Sequence, residues 1–211
     1  MKPSLLASII TVLALAATGI CGEQNKILVG VCGNLKSAKE AGFEFVETGA
    51  SSIANMSDAD FDKFLLSVKE AGVPVSRSNV LMPAGIKITG PDVDPAKQTE
   101  YLNKLFPRLK KVGVKVSVLG SGGARKIPDG FSREEAFKQM VDFCKRLGPI
   151  ARSNDVIIAI EPLNKSECNF INTVTEGLEV VEAVNDPNIL VHADLYHMAK
   201  ENEPADGILK A

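Results

Sequence analysis

Six short runs rich in apolar residues recur along this chain, each separated from the next by a longer amphipathic stretch, and few folds accommodate that alternation. The runs occupy residues 26–32, 43–47, 73–80, 114–119, 156–160 and 189–193. A strand that is apolar along its whole length must be covered on both faces, which is the mark of a parallel sheet packed under helices. The intervening stretches supply those helices. Phe61, Phe64, Leu65 and Val68 recur at helical spacing, as do Leu102, Leu105, Leu109 and Val112. Phe137, Met140, Val141, Cys144 and Leu147 form a third buried face, and Val174, Leu178, Val181 and Val184 a fourth.

Start and stop signals agree with this division. Ser57, Asp94 before Pro95, Ser132 with Glu135, and Thr173 with Glu176 are N-terminal caps. Gly42, Gly72 and Gly113 stand where helices should end. Residues 37–41 read as a short helix, and the glycine-rich residues 120–125 as a turn.

Six βα units could wind into an open doubly wound sheet or into a barrel. No GxGxxG follows the first run, so a dinucleotide fold lacks its phosphate-binding turn. Acids stand instead at the C-terminal ends of several strands: Glu47, Glu161 and Asp194. Converging strand-end acids favour a parallel (β/α) barrel of the TIM type. A complete barrel has eight strands, so the expectation is an incomplete one, with about six of eight units across residues 26–211. Residues 208–211 read as the inside of a helix without a cap, so truncation at the C-terminus is expected.

Composition narrows the function classes. The 211 residues are 45% hydrophobic and 24% charged, with net charge −2, and no basic run or basic-aromatic patch suggests a nucleic-acid partner. Cys21, Cys32, Cys144 and Cys168 show no CxxC spacing, which argues against a zinc knuckle or a thioredoxin-type pair. Cys32 and Cys144 are expected to be buried thiols.

The N-terminus reads as an export signal over residues 1–22: Lys2, an apolar run over residues 5–17, then small residues up to Cys21 and Gly22. Cleavage after Gly19, lipidation at Cys21, and retention as an anchor are the three outcomes. The expected location is outside the cytoplasm, most simply the periplasm, with no membrane span in the mature chain.

The two acid-tipped strands carry the chemistry. Glu161, in Glu161-Pro162-Leu163-Asn164 followed by Glu167, is placed to bind a divalent metal or shuttle a proton, or is merely a solvated loop acid. Asp194 and His197 lie three apart beyond the sixth strand, the aspartate as ligand and the histidine as donor or ligand. His192, inside that strand, reads as a satisfied core histidine. Arg125 either contacts substrate or sits in a flexible turn.

Together these segments resemble the sugar isomerase/epimerase group of xylose isomerase-like TIM barrels, which includes ketose 3-epimerases and hydroxypyruvate isomerases. The resemblance rests on Glu161-Pro162-Leu163-Asn164-x-x-Glu167 and Asp194-x-Tyr196-His197-Met198. The loop of Gly120, Ser121, Gly122, Arg125, Ile127, Pro128 and Gly130 is similar to the one after the fourth strand of that group. It implies a divalent metal, Mn2+, Mg2+ or Co2+, with Glu161 and Asp194 as two of four ligands. The other two, a histidine and a glutamate, come from the family's seventh and eighth strands. It also implies that Glu167 and His197 contact a sugar substrate, with Arg125 and Glu47 as further candidates. Glu161 would move the proton beside the chelated carbonyl of a ketose or small hydroxy-ketone. The contrasting expectations are a non-catalytic or inactive truncated barrel that binds carbohydrate, and a polyol dehydratase on the same scaffold. A homo-oligomer fits either.

Overall fold

In the computed structural model, which describes residues 27–209 and 211, six parallel strands stand side by side in chain order. They are β1 (Gly30–Cys32), β2 (Phe45–Gly49), β3 (Val75–Asn79), β4 (Val116–Leu119), β5 (Ile157–Ile160) and β6 (Ile189–Val191). The connecting helices are α1 (Leu35–Glu40), α2 (Ala50–Asn55), α3 (Asp58–Ala71), α4 (Pro95–Val112), α5 (Gly122–Arg125), α6 (Arg133–Ser153) and α7 (Val174–Val184). Helix α8 (Leu195–Glu201) follows β6. The parallel α/β arrangement expected from the apolar runs is therefore present. The export-signal reading of residues 1–22 lies outside the described residues. Among the described residues, no helix is long and apolar enough to cross a membrane.

Pairing gives the sheet two unlike faces, because side chains alternate along a strand and directly paired residues share a side. The β4–β5 register pairs Leu119 with Ile160 and Val118 with Ala159. Leu119, Ile158, Ile160 and Ile189 pack with Leu105, Phe106, Met140, Phe143 and Leu147 of the helices in one core. Val116, Val118 and Ala159 are also buried, but on the opposite side and outside that core. One polar pair lies on the helix side, where the Ser78 hydroxyl donates to Ser117 Oγ at 2.8 Å.

The caps are as read from the sequence. Asp94 Oδ1 accepts from the Ala96 and Lys97 amides at 3.0 and 3.1 Å. Ser132 and Thr173 cap α6 and α7 in the same way. Helices α3 and α4 end at Gly72 and Gly113 in the left-handed region.

Several expectations need correction. Strand β1 starts at Gly30, with Ile27, Leu28 and Val29 exposed ahead of it. Helix α2 was not foreseen; its N-cap, Gly49, makes no side-chain cap bond. Residues 120–125 hold a helical turn, α5, where a flexible turn was the alternative. Helix α7 buries Gly177 and Val180 most deeply, with Gly177 so close to Val191 that a Cβ there would meet its side chain, while Leu178 and Val181 are half-buried and Val181 still packs against the core. The C-terminal stretch is a 3-10 turn over Ala205–Gly207, then a turn through Ile208 and Leu209, since Asn202 and Pro204 stop α8 first. Cys32 is exposed, because it lies on the side of β1 away from the helices, while Cys144 is buried.

Candidate active site

The site is built where β5 and β6 end. Pairing continues one residue past β6: the His192 amide donates to Ile160 O at 2.7 Å, and the Glu161 amide to Leu119 O at 3.3 Å. Ile160 pairs with Val191, so the next residues, Glu161 and His192, stand side by side on the face away from the helices. His192 Nδ1 lies 3.5 Å from Glu161 Oε1. Two residues on, extended backbone returns Asp194 to the same side (φ −92°, ψ 115°). The ligating atoms of Glu161, His192 and Asp194 all lie within 4.8 Å of one another.

Asp194 has a second task. Its Oδ1 caps α8, accepting from the Tyr196 amide at 2.7 Å and the His197 amide at 3.4 Å. The helix thus fixes the carboxylate's orientation.

Burial and crowding set the protonation states. Burial first, then the Asp194 carboxylate, pushes Glu161 up to about 8; Arg125 opposes this and Glu47 adds to it. Burial holds His192 below the ordinary histidine value, so its ring is neutral near pH 7. His192 is 3% exposed, and neither ring nitrogen has a hydrogen-bond partner. The reading of His192 as a satisfied core histidine therefore fails: it is buried but unsatisfied. Period two counted back from Asp194 would have placed it on the same face.

The other residues singled out from the sequence fall in three places. Glu167 and His197 meet through Asn164, which is 2% exposed. Asn164 Nδ2 donates to Glu167 Oε1 at 2.8 Å, and the Asn164 amide donates to His197 Nδ1 at 3.1 Å. With Nδ1 accepting, the proton of the neutral His197 ring sits on Nε2. Asn164, a motif residue with no role legible from the sequence, organises this part of the rim. Glu201 of α8 braces the same loop, accepting from the Lys165 amide at 2.7 Å.

Glu47 faces the interior from β2. Its Oε1 accepts from Asn79 Nδ2 at 2.8 Å. Burial raises its pKa, and Asp194 raises it further against the Asn79 hydrogen bond.

Arg125 is fully buried, not open to the rim as a substrate contact would be. Its Nε donates to Gly120 O and its Nη2 to Glu161 O, both at 2.6 Å. It ties the end of β4 to the end of β5 directly behind the Glu161 side chain. Gly120 completes that fit, since a Cβ there would collide with Glu161 Oε2.

Two carboxyl groups and a neutral imidazole suit a divalent cation, and the unpartnered His192 nitrogens are atoms such an ion would satisfy.

Comparison with known proteins places the chain among sugar epimerases by similarity. The chain is 26% identical over 165 residues to an L-ribulose 3-epimerase of Mesorhizobium japonicum, covering 78% of this chain and 54% of that protein. It is 23% identical over 179 residues to a D-psicose 3-epimerase of Ruminiclostridium cellulolyticum, covering 83% and 61%. Among solved structures, a D-allulose 3-epimerase from Methylomonas sp. in complex with D-allulose superimposes with a TM-score of 0.72 at 26% identity, covering 84% of this chain and 61% of that one. The chain spans a little over half the length of these relatives. The profile of the xylose isomerase-like TIM barrel family matches residues 35–210. The chain belongs to the xylose isomerase-like TIM barrel family.

Proposed function

We propose that this protein is a divalent-metal-dependent sugar epimerase that moves a proton on the carbon beside a ketose carbonyl. The observation that carries the reading is the cluster at the strand tips, where ligating atoms of Glu161, His192 and Asp194 lie within 4.8 Å of one another. Burial and the neighbouring acids raise the pKa of Glu161 in the metal-free site, and a cation beside it would lower the pKa again, so that a carboxylate is available there as a base. The 3-epimerase relatives support the reaction class.

Glu161 and Asp194 would hold the cation, Mn2+, Mg2+ or Co2+, which when bound supplies Lewis acidity to the substrate carbonyl. Glu161 takes the proton from one face of the carbon beside the carbonyl, or returns it there. Arg125 and Gly120 hold Glu161 in place from behind. Glu167 offers an acceptor and His197 Nε2 a donor for sugar hydroxyls, and Glu47 faces the same interior from β2. Export, as residues 1–22 suggest, would place this activity outside the cytoplasm.

The test is exchange in heavy water. With Mn2+ and a ketose such as D-psicose or L-ribulose, the chain should introduce solvent deuterium at C3, and Glu161→Gln should reduce this to background. Exchange that persists in Glu161→Gln removes Glu161 from the reaction. Metal binding without exchange in any ketose rejects the epimerase reading.

A further inference from the structure

We propose that His192 is a direct ligand of the divalent cation, so that the ends of β5 and β6 alone present two carboxylates and one imidazole to it. The proposal rests on the metal-site reading above and adds a nitrogen donor from inside β6.

Three independent observations converge on it. The first is position: the parallel register sets His192 beside Glu161, and the two-residue step to Asp194 keeps all three on one side of the sheet. The second is distance. His192 Nδ1 is 3.5 Å from Glu161 Oε1, and one ligating atom from each of the three residues falls within 4.8 Å of the others. Two atoms bonded to one ion at about 2.0–2.2 Å stand no more than about 4.4 Å apart, so the 3.5 Å pair fits as it stands and the 4.8 Å limit is met after a small side-chain adjustment.

The third is the unmet hydrogen bonding of the ring. A neutral imidazole offers one donor and one acceptor, and burying such groups unpaired costs free energy. His192 is 3% exposed and neither nitrogen is used. A ring placed for packing alone would find a carbonyl or a hydroxyl. A cation bound at one nitrogen takes the lone pair that the protein leaves open.

The other histidine is differently employed. The chain has two, and His197 Nδ1 already accepts from the Asn164 amide. Any imidazole nitrogen bound to the ion through Nδ1 or Nε2 of a buried, uncommitted ring is therefore that of His192. An imidazole donor should also favour Co2+ over Mg2+ more strongly than carboxylates alone would.

The experiment is pulsed electron paramagnetic resonance on the whole chain loaded with Mn2+, reading electron spin-echo modulation from directly coordinated nitrogen. His197→Gln leaves His192 as the sole histidine, so the test does not require altering His192. Nitrogen modulation should persist in His197→Gln, and should change to the 15N pattern when the variant is made with 15N-labelled histidine. His192→Gln, shown to be folded by circular dichroism, should lose the modulation. It should also weaken Mn2+ binding by more than the roughly 10- to 100-fold typical of losing an outer partner, and should narrow the preference for Co2+ over Mg2+. Mn2+ bound to His197→Gln without nitrogen modulation overturns the His192 assignment while leaving the metal site standing. No Mn2+ bound to the wild-type chain overturns the metal-site reading, and this proposal with it.

Discussion

Glu161 is a carboxyl group kept where a carboxylate is costly. Without metal, its folded-state pKa of about 8 stands above the ordinary 4.5, chiefly through burial. A raised pKa means that the stabilising contribution is fully present below pH 4.5 and is lost as pH climbs through 8. In chelator, the melting temperature of the wild type relative to Glu161→Gln should therefore fall by several degrees between about pH 5 and 8.5. Taking the difference between the two proteins cancels the contribution of His192, whose depressed pKa acts in the opposite sense. Differential scanning fluorimetry across pH measures it, and curves that stay parallel would mean that Glu161 is not buried as described. Glu161 and Asp194 were legible in the sequence because each follows an apolar run. His192 was misread because its meaning depends on a neighbour across the ladder, and a run read by itself does not show which residue stands beside it. Arg125 was legible only as a polar residue after a strand; that it turns inward to two carbonyls is a property of the folded loop.

Helices α3, α4, α6 and α7 announced themselves through their caps, since a cap is a local device that needs only a few residues. Helix α2 did not: Ala50–Asn55 has no side-chain cap bond, and it is held by packing of Ala50, Ile53 and Ala54. The link between β4 and β5 belongs to this scale too. Arg125→Lys keeps a charge but loses the fork that reaches Gly120 O and Glu161 O together. It should cost about 1.5–3 kcal/mol in urea unfolding, the worth of a hydrogen bond to a charged group. Gly120→Ala should behave differently. Its Cβ would strike the flexible end of Glu161, so Mn2+ affinity should drop severalfold while the urea midpoint barely moves. Equal affinity in that variant would show that Glu161 does not need its present position.

For the molecule as a whole, stability resides between sheet and helices. Phe106 is fully buried there, and Phe106→Ala should cost about 3–5 kcal/mol. Leu209, 89% exposed, should tolerate alanine within about 0.5 kcal/mol. Equal effects at the two positions would contradict this placement of the core. The six-unit parallel architecture could be read from the alternation of runs, whereas strand ends could not. Apolar residues such as Ile27 and Leu28 carry the same signal whether or not a partner strand reaches them. For residues 1–22 we propose cleavage during export. Mass spectrometry of protein secreted by a bacterial host should find a mature chain starting near Ile20 or Cys21, and an intact Met1 would reject it.

The cap that Asp194 places on α8 has a consequence for how the site opens. Asp194 accepts from the Tyr196 amide, Glu201 of α8 accepts from the Lys165 amide, and the Asn164 amide beside it donates to His197 of the same helix. Rim loop and helix thus form one closed circuit, and no part of it unfastens without the rest. In hydrogen–deuterium exchange the Lys165 and Tyr196 amides should slow by the same factor when an ion binds, although Lys165 touches none of the three ligating residues.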